Sequence, residues 1–555
     1  MGRAAGMVAG VPADRSQVTS GVPVGADPGV QGTDLWGSTA PIARSFNTYR
    51  RPSIWLKLTL FTIVLIAALL IAAGVSMGNK YVAFGLLGLL GASIVMVTPV
   101  LVTFWIIILL GFLITGPITY FAHISQFQWL APTLDAAEYV QVLLLILSGR
   151  MRGQTTRIPA FAMWLAMYLF CVLFTSALSG ITLAEAIMAS RYNIFVWGAL
   201  LVFLVGVVQD STIDQIWRLL LAIAWLQFPM AVYQYKFVAS KRSSGEIQSE
   251  APPWDAIVGT FPGTDTGGGN SAAMAMYLLV MIILAVALWR EGRAKGWVTA
   301  AFVTMALGTI SLAEVKAVVL LIPVGLTLYY YKDVLRKPIE TLFAIGLSVA
   351  LMVGILYGYQ KLHYDTIVAS PVAENYGFTV WDRILQQVNP EGKSEGNDRL
   401  GRVTLLIQWW DEIPSRGDVQ HTLFGHGVGT TQSSKIGVGS LVERWGDVGR
   451  SSLLILLWET GVMGAFAYIM MLISSAYLSI KMAGNARIPD RHRVYLRVGA
   501  IGLTLYLLTL PYKPFAVRLF PTMLLMIIMM GQAFYWANRL ANEDHRARLA
   551  GLIRK

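Results

Sequence analysis

The chain has 555 residues, of which 55% are hydrophobic and only 13% are charged. Soluble domains carry about a quarter charged residues, so this composition excludes an ordinary soluble protein and favours one embedded in a membrane. The formal net charge of +12 comes mostly from basic residues beside apolar segments, which is the usual bias of cytoplasmic loops. We therefore expect no nucleic-acid partner.

The first 50 residues are rich in Gly, Ala, Pro and Ser and lack an apolar core. This composition predicts a disordered tail over residues 1–50 and no secretory signal peptide. The segment Trp55–Met77 is then expected to act as an uncleaved signal anchor. The single cysteine, Cys171, lies in an apolar segment, so an internal disulfide is excluded.

Apolar blocks of roughly 20 residues, the length that crosses the hydrocarbon layer, recur along the rest of the chain. The strongest of them predict transmembrane spans at Trp55–Met77, Tyr81–Val97, Val100–Phe121, Ile158–Gly180, Ile194–Val208, Ile213–Phe237, Ser271–Trp289, Trp297–Ile310, Val315–Tyr331, Ile339–Tyr359, Ser452–Ile480, Val494–Leu510 and Leu519–Asn538. A further block, Ala131–Ser148, is weaker because Asp135 and Glu138 interrupt it near one end.

The distribution of Lys and Arg tests this count, because short cytoplasmic loops collect basic residues. Basic residues after the last span place the carboxyl end inside, and counting back leaves only the pair Lys241 and Arg242 outside among the main clusters. With thirteen strong spans, however, the amino-terminal tail would lie outside despite Arg50 and Arg51. Counting Ala131–Ser148 as a fourteenth span brings that tail inside.

We therefore predict an all-α polytopic membrane protein with about 14 transmembrane helices and a large periplasmic loop near the carboxyl end. The predicted divisions are a disordered cytoplasmic tail (1–50), a transmembrane body of about 11 helices (51–359), the periplasmic loop with amphipathic helices (360–450), three carboxyl-terminal transmembrane helices (451–540) and a basic cytoplasmic tail (541–555). A loop of that length is usually either functional or disordered.

Within the loop, the segment Asn397–Ile413 has the spacing of an amphipathic helix. Its predicted apolar face consists of Val403, Leu406, Ile407 and Trp410. Arg399 and Arg402 are three residues apart and project from neighbouring turns. Two interpretations remain open: an interfacial helix whose arginines contact lipid headgroups, or a specific site for an anion.

A glycine-rich turn, Phe424–Thr430, follows. Its alternating glycines, Gly425, Gly427 and Gly429, allow the backbone to approach a ligand closely, and successive amides in such a turn can hold a phosphate. The turn follows no clear strand and opens no clear helix, so it is not a dinucleotide-binding fingerprint. His426 is a candidate base, hydrogen-bond donor or structural residue.

Two further polar groups interrupt apolar segments. Glu314 and Lys316 lie between two predicted spans, where a mutual ion pair and a ligand contact are both plausible. Asn270 belongs to a polar, glycine-rich stretch before the next span, which loop chemistry alone would explain. The predicted topology places all these groups on the outer face, which suggests an arginine-rich site for an anionic headgroup at the membrane surface.

The sequence contains no HExxH or Walker motif and no cysteine–histidine set. We therefore expect no cofactor and a metal-independent reaction.

The order of these segments resembles the bacterial O-antigen ligase and Wzy-type polysaccharide polymerase superfamily. Three stretches between about Pro253 and Tyr468 carry the resemblance: "GTFPGTDTGGGNSAAMAMYLL", "GTISLAEVKAVVLL", and the loop from "RLGRVTLLIQWW" through "LFGHGVGT" to "GRSSLLILLWETGVMGAFAY". Ligases typically carry His-Asn or His-Ser nine residues before the glutamate of the last stretch. Here Arg450 and Ser451 stand there, nine residues before Glu459, which favours a polymerase or a variant chemistry.

The resemblance implies a glycosyltransferase of the bacterial inner membrane, acting on its periplasmic side. The donor would be an oligosaccharide on undecaprenyl diphosphate, and the product an O-antigen, capsule or exopolysaccharide. Membrane lipids, a chain-length regulator and a flippase are the further partners it suggests. An O-antigen ligase, a polysaccharide transporter or lipid flippase, and a non-enzymatic envelope scaffold are the alternatives.

The same resemblance suggests roles for the candidate residues. Arg402 would stabilise the leaving diphosphate, which develops negative charge, and His426 or Glu314 would accept the proton of the acceptor hydroxyl. The predicted substrate-binding residues are Arg399, Arg450, Lys316, Gly425, Gly427 and Asn270.

Overall fold

The computed structural model describes residues 95, 98–147, 158–243, 253–265, 270–334, 337–361, 401–434 and 436–553. The tail 1–50, almost all of the first two predicted spans and the segment 362–400, which includes Arg399, lie outside the described residues. All described residues belong to the unit Gly91–Lys555.

Helices account for nearly all regular structure in the described part of the chain. In chain order they are α1 (Val100–Leu109), α2 (Thr115–Phe121), α3 (Leu130–Leu147), α4 (Ala160–Ser179), α5 (Leu183–Asn193), α6 (Gly198–Leu204), α7 (Asp210–Gln234), α8 (Ser240–Ser243), α9 (Ser271–Arg290), α10 (Gly296–Leu312), α11 (Lys316–Val334), α12 (Pro338–Tyr359), α13 (Arg402–Glu412), α14 (Val419–Phe424), α15 (Ser440–Trp445), α16 (Ser452–Ala483), α17 (Asp490–Thr509), α18 (Phe515–Arg518) and α19 (Phe520–Ile553). Two short strands, β1 (Ser433–Ser434) and β2 (Gly437–Val438), pair antiparallel between α14 and α15.

Eight of the helical segments in the described residues are long and apolar enough to cross a membrane: Val100–Phe121, Ser125–Leu147, Ala160–Ser179, Leu183–Leu204, Asp210–Arg242, Ser271–Arg290, Ser452–Ala483 and Phe520–Arg548. Shorter apolar helices cover Gly296–Leu312, Lys316–Tyr331 and Ile345–Tyr359. The prediction of an all-α membrane protein is therefore confirmed. The segment Ser125–Leu147 supplies a helix where the weakest span was predicted, while the total of fourteen and the sidedness stay predictions.

The bundle is organised around α9, which is apolar on every side and buried along most of its length. It packs against α7, α10, α11, α17 and α19. By contrast, α4 leaves Met163 and Leu173 exposed, as expected of a helix with one face toward lipid.

Charged groups tie the helix ends together at the end of the bundle remote from the loop. Arg491 lies 2.6 Å from Asp214, and Arg539 pairs with Asp210, so α7, α17 and α19 meet there. The predicted tail 541–555 does not begin where the last helix ends, because α19 continues without a break to Ile553.

Two breaks in helical geometry lie at the end of the bundle that faces the loop. Glu314 has a φ of +51° between α10 and α11, and Gly461 has a φ of +64° inside α16. Non-helical backbone at membrane depth is tolerated only where protein groups satisfy it. At the first break, the hydroxyl of Tyr359 donates to the carbonyl of Ile310 at 3.0 Å.

Candidate functional site

The loop helix α13 packs one of its faces on the bundle. Leu405 and Trp409 are buried against the bundle, and half-buried Arg402 begins the same face one turn before Leu405. Three residues of the predicted apolar face are instead exposed: Leu406, Ile407 and Trp410. Arg402 points to the bundle, while the exposed apolar side suits contact with lipid.

Arg402 rests on the ring of Tyr512, in the connection between α17 and α18. Its Cζ lies 4.4 Å from the ring centroid, within the range of a cation–π interaction. Burial lowers the pKa of the Arg402 guanidinium, although the Tyr512 hydroxyl opposes that shift. Tyr512 also interacts electrostatically with Glu314 and with the backbone amide of Ala317.

Lys513, the next residue, adds a second positive charge. Burial and the charge of Arg402 lower the pKa of the Lys513 amine, while Asp255 opposes the shift. Arg450 is also within electrostatic range, and its Nε lies 3.4 Å from Oδ2 of Asp447. The backbone here is fixed, because the hydroxyl at the start of α16, on Ser452, donates to the Lys513 carbonyl at 2.8 Å.

Glu314 and Lys316 form the mutual ion pair that was one of the two interpretations. Nζ of Lys316 lies 3.0 Å from Oε1 of Glu314, and both side chains are largely buried. Glu314 also interacts electrostatically with Tyr359 and with Tyr512, the residue on which Arg402 rests. We call Arg402, Arg450, Lys316, Lys513, Glu314 and Tyr512 the cationic cluster.

The glycine-rich turn donates its amides to the protein itself. Three consecutive amides bond to backbone carbonyls: Gly425 to His421 (2.9 Å), His426 to Trp458 (2.8 Å) and Gly427 to Glu459 (3.0 Å). These amides are therefore not available to a phosphate, and the geometry does not support the predicted anion-binding turn.

The glycines are required for close packing instead. A Cβ on Gly425 would lie 2.6 Å from the carbonyl carbon of Glu459, and one on Gly427 would lie 2.4 Å from Cγ2 of Ile181. Two of the carbonyls that accept these bonds, on Trp458 and Glu459, lie just before the break at Gly461. The turn thus satisfies the backbone of a discontinuous membrane helix, which explains its glycine content.

A buried ion pair holds the loop beside this break. Nη2 of Arg518 lies 3.1 Å from Oε1 of Glu459, whose side chain is 1% exposed. Arg518 also donates to the hydroxyl of Thr431, which in turn donates to the same carboxylate. Sequence reasoning missed Arg518, because it lies in a short connection without a recognisable pattern.

His426 lies in a stack of two imidazoles. Its ring centroid is 4.2 Å from that of His421, and burial lowers the pKa of His426 to about 4. His421, which sequence reasoning also missed, has Nδ1 2.7 Å from Oδ2 of Asp418. Asp418 caps α14 by accepting from the His421 amide, an Asp-x-x-His spacing visible in the sequence. Among the described residues, no contact places this stack within the cationic cluster.

Asn270 lies at the start of α9 and contributes to a pocket of about 360 Å³, a volume that includes the solvent at its mouth. We call it the amide pocket; it is lined by Gly111, Thr115, Gln128, Ala131, Tyr192, Pro262, Asn270, Leu519, Phe520 and Pro521. Of the predicted residues, the structure thus brings together Arg402, Arg450, Lys316 and Glu314. It places His426, Gly425 and Gly427 at the break in α16 and Asn270 in the pocket.

No protein-family model matches this sequence, and no curated protein is significantly similar to it. Within the described ranges, no group of three or more His, Cys, Asp or Glu side chains is placed to hold a metal ion. The chemistry of the cationic cluster is therefore the main basis for a functional assignment.

Proposed function

We propose that the chain is a glycosyltransferase that polymerises lipid-diphosphate-linked oligosaccharides at the periplasmic face of a bacterial cytoplasmic membrane. The observation that supports this most is the placement of Arg402. It lies on the protein side of α13, against Tyr512 and beside Lys513, whereas the adjoining face of α13 is apolar and exposed. A lipid diphosphate has the same division, with an apolar chain in the bilayer and a charged group at its surface.

The reaction transfers the donor glycan to an acceptor hydroxyl. The acceptor oxygen bonds to the anomeric carbon, the bond from that carbon to the diphosphate oxygen breaks, and the lipid diphosphate leaves with the bonding electrons. Arg402 and Lys513 would stabilise the negative charge that develops on the leaving oxygen. Arg402 can do so through two parallel hydrogen bonds, which a lysine cannot reproduce.

The acceptor proton requires a base near the same cations. Of the two predicted bases, Glu314 lies in the cationic cluster, whereas His426 is stacked on His421 beside the break in α16. We therefore assign the role of the base to Glu314. Lys316, at 3.0 Å, holds its carboxylate in position. A positioned general base typically contributes about 10²–10⁴-fold in rate.

The decisive variant is Arg402→Lys, which keeps the positive charge and removes the planar guanidinium group with its two parallel donors. We expect a loss of about 2 kcal/mol of transition-state stabilisation, or about thirtyfold in rate, with the melting temperature unchanged. The matched control is Arg416→Lys, because Arg416 is 61% exposed and pairs with Glu412 on the solvent side. The assay follows chain growth on lipid-linked repeat units in vesicles containing the purified protein.

The products separate the alternatives. A ladder of lengths indicates a polymerase, a single addition indicates a ligase, and movement of the lipid without a new bond indicates a transporter. Normal polymer from folded Arg402→Lys protein would contradict the assignment of Arg402.

A further inference from the structure

Two acidic side chains lie buried on the membrane helix α3. Asp135 and Glu138 are both 0% exposed and close enough to interact electrostatically. Oδ1 of Asp135 accepts from the amide of Ala199, whereas its Oδ2 and both carboxylate oxygens of Glu138 have no hydrogen-bond partner among the described residues. The adjacent Tyr139 donates its hydroxyl elsewhere, to the carbonyl of Ile194 at 2.7 Å. A buried charge within a membrane is costly unless it is paired, so the two acids require something that neutralises them.

A further unpartnered oxygen lies one turn along the same helix. Nε2 of Gln141 donates to the hydroxyl of Thr103 at 3.0 Å and to the carbonyl of Thr98 at 3.1 Å. The amide nitrogen faces these acceptors, which leaves the buried Oε1 as an acceptor without a partner. Side chains on a helix lean toward its amino terminus, so Gln141 leans toward Glu138, and Glu138 toward Asp135. The three side chains form a line of acceptors that lacks a donor or a cation.

The surroundings of this line favour a proton over a metal ion. The helices α1 and α6 both pack on α3, and neither has a titratable side chain. Of the other described elements that pack on α3, only α5 carries titratable groups, and these have partners. Glu185 accepts from the Ser440 amide, and Arg191 rests on the ring of Tyr192. A hard metal ion takes about six oxygen ligands or more, whereas the line supplies four. A proton can be shared by two oxygens.

Water reaches the helical turn that precedes the pair. Ala131, one turn before Asp135 on α3, lines the amide pocket, which has room for a water or two besides the solvent at its mouth. Four residues of helix advance about 6 Å along the axis. The pocket is too small for an organic ligand, but the water it can hold is sufficient to deliver and remove protons.

We propose that Glu138 and Asp135 form a proton-binding site within the membrane-spanning part of the protein. Glu138 carries the proton and donates it to Oδ2 of Asp135, whose Oδ1 is already bonded to the Ala199 amide. Two carboxylates this close cannot both be ionised in apolar surroundings, so one proton stabilises the pair. Its loss would place two negative charges where α1, α3 and α6 meet. The site lies outside the cationic cluster, so the proposal does not rest on glycosyl transfer.

The first test is infrared spectroscopy of the full chain in lipid vesicles. A protonated carboxyl gives a carbonyl band separate from the amide bands, so wild-type protein at pH 7 should show such a band that Glu138→Gln lacks. Glutamine is neutral and of similar shape, so this variant should fold. The control is Glu443→Gln, which should keep the band because an exposed glutamate is already ionised at pH 7. Equal bands in wild type and Glu138→Gln would overturn the proposal.

The second test asks whether the proton is shared and exchangeable. Transfer to D2O should lower the frequency of the band, and Asp135→Asn should retain the band at a changed frequency because the acceptor of the proton differs. Three outcomes would contradict the proposal. A band unaffected by Asp135→Asn would mean that the proton is not shared, and one unaffected by D2O that it does not exchange. Loss of the band in sodium chloride but not in choline chloride would mean that the site takes a metal cation.

Discussion

Two arginines beneath the loop have opposite surroundings. Arg518 faces the carboxylate of Glu459, which is buried with it, so the positive charge is balanced inside the protein. Arg402 rests on the uncharged ring of Tyr512 and has Lys513 as a neighbour, and burial lowers the pKa of both cations. The first arginine therefore holds the loop in place, whereas the second is the one that we propose stabilises the negative charge of the leaving diphosphate.

The difference has a thermodynamic consequence. Removing one partner of a buried ion pair leaves the other charge buried and unpaired, which strongly destabilises a protein. Removing a cation from a positively charged site relieves repulsion and desolvation, so function there is maintained at the expense of stability. Stability measurements can therefore separate a structural cation from a ligand-binding one without any substrate.

The largest expected effect is that of Arg518→Met. It leaves the carboxylate of Glu459 buried and unpaired, so we expect the free energy of unfolding in detergent micelles to fall by about 3–5 kcal/mol. The double variant Arg518→Met, Glu459→Gln should recover much of the loss, because no buried charge remains. Arg416→Met is the surface control, and its exposed pair should contribute only about 0–1 kcal/mol. Equal losses in Arg518→Met and Arg416→Met would remove the distinction between a structural pair and a surface pair.

Hydropathy located the membrane helices well, because a span needs a long apolar block and few charges. Hydropathy does not show which side of α13 packs on the protein. Leu405 and Trp409 lie on the buried face and Leu406 and Trp410 on the neighbouring exposed face, and both faces are apolar. In a membrane protein, the side facing lipid and the side facing protein have the same composition, so periodicity alone does not separate them.

The candidate site was predictable only in part. Arg402, Glu314 and Lys316 attract attention because each places a charge beside an apolar segment. Lys513 and Arg518 lie in the short connection before α19, where no pattern distinguishes them from ordinary flanking residues. Their roles arise from tertiary contacts with residues far away in sequence, which composition and spacing do not contain.

The glycine-rich turn is the next prediction, with a smaller expected effect. Gly425 and Gly446 each end a six-residue helix with nearly the same backbone conformation, φ 71° and ψ −166° against φ 73° and ψ −153°. A Cβ on Gly446 would meet nothing within 4 Å, whereas one on Gly425 would meet the backbone of Glu459 at 2.6 Å. Both alanine variants carry backbone strain of about 1–3 kcal/mol. Gly425→Ala should lose a further 1–3 kcal/mol or so from overpacking.

Denaturant titration of the two glycine variants measures this difference, and limited proteolysis of the loop reports where it acts. Faster cleavage of the loop in Gly425→Ala than in Gly446→Ala would locate the defect at the break in α16. Equal unfolding free energies would mean that the turn tolerates a side chain and is not closely packed.

The smallest expected effect has the opposite sign and concerns Lys513→Met. Methionine keeps an apolar stem of similar length and removes the charge, whose presence is unfavourable because burial lowers the pKa of Lys513 from its usual 10.5. A lysine with a lowered folded-state pKa destabilises the protein below that pKa, and the penalty disappears as the pH rises toward the unfolded value. We therefore expect Lys513→Met to be more stable than wild type by about 1 kcal/mol or less at pH 7, after allowing for solvent screening, with the gain shrinking toward pH 10. Lys481→Met, at an exposed position, is the control and should leave stability unchanged.

Lys513→Met should also elongate glycan more slowly than wild type, since the leaving diphosphate loses a cation. A loss of stability in Lys513→Met comparable to that in Arg518→Met would show that the cationic cluster is a structural element, and the contrast between the two arginines would fail.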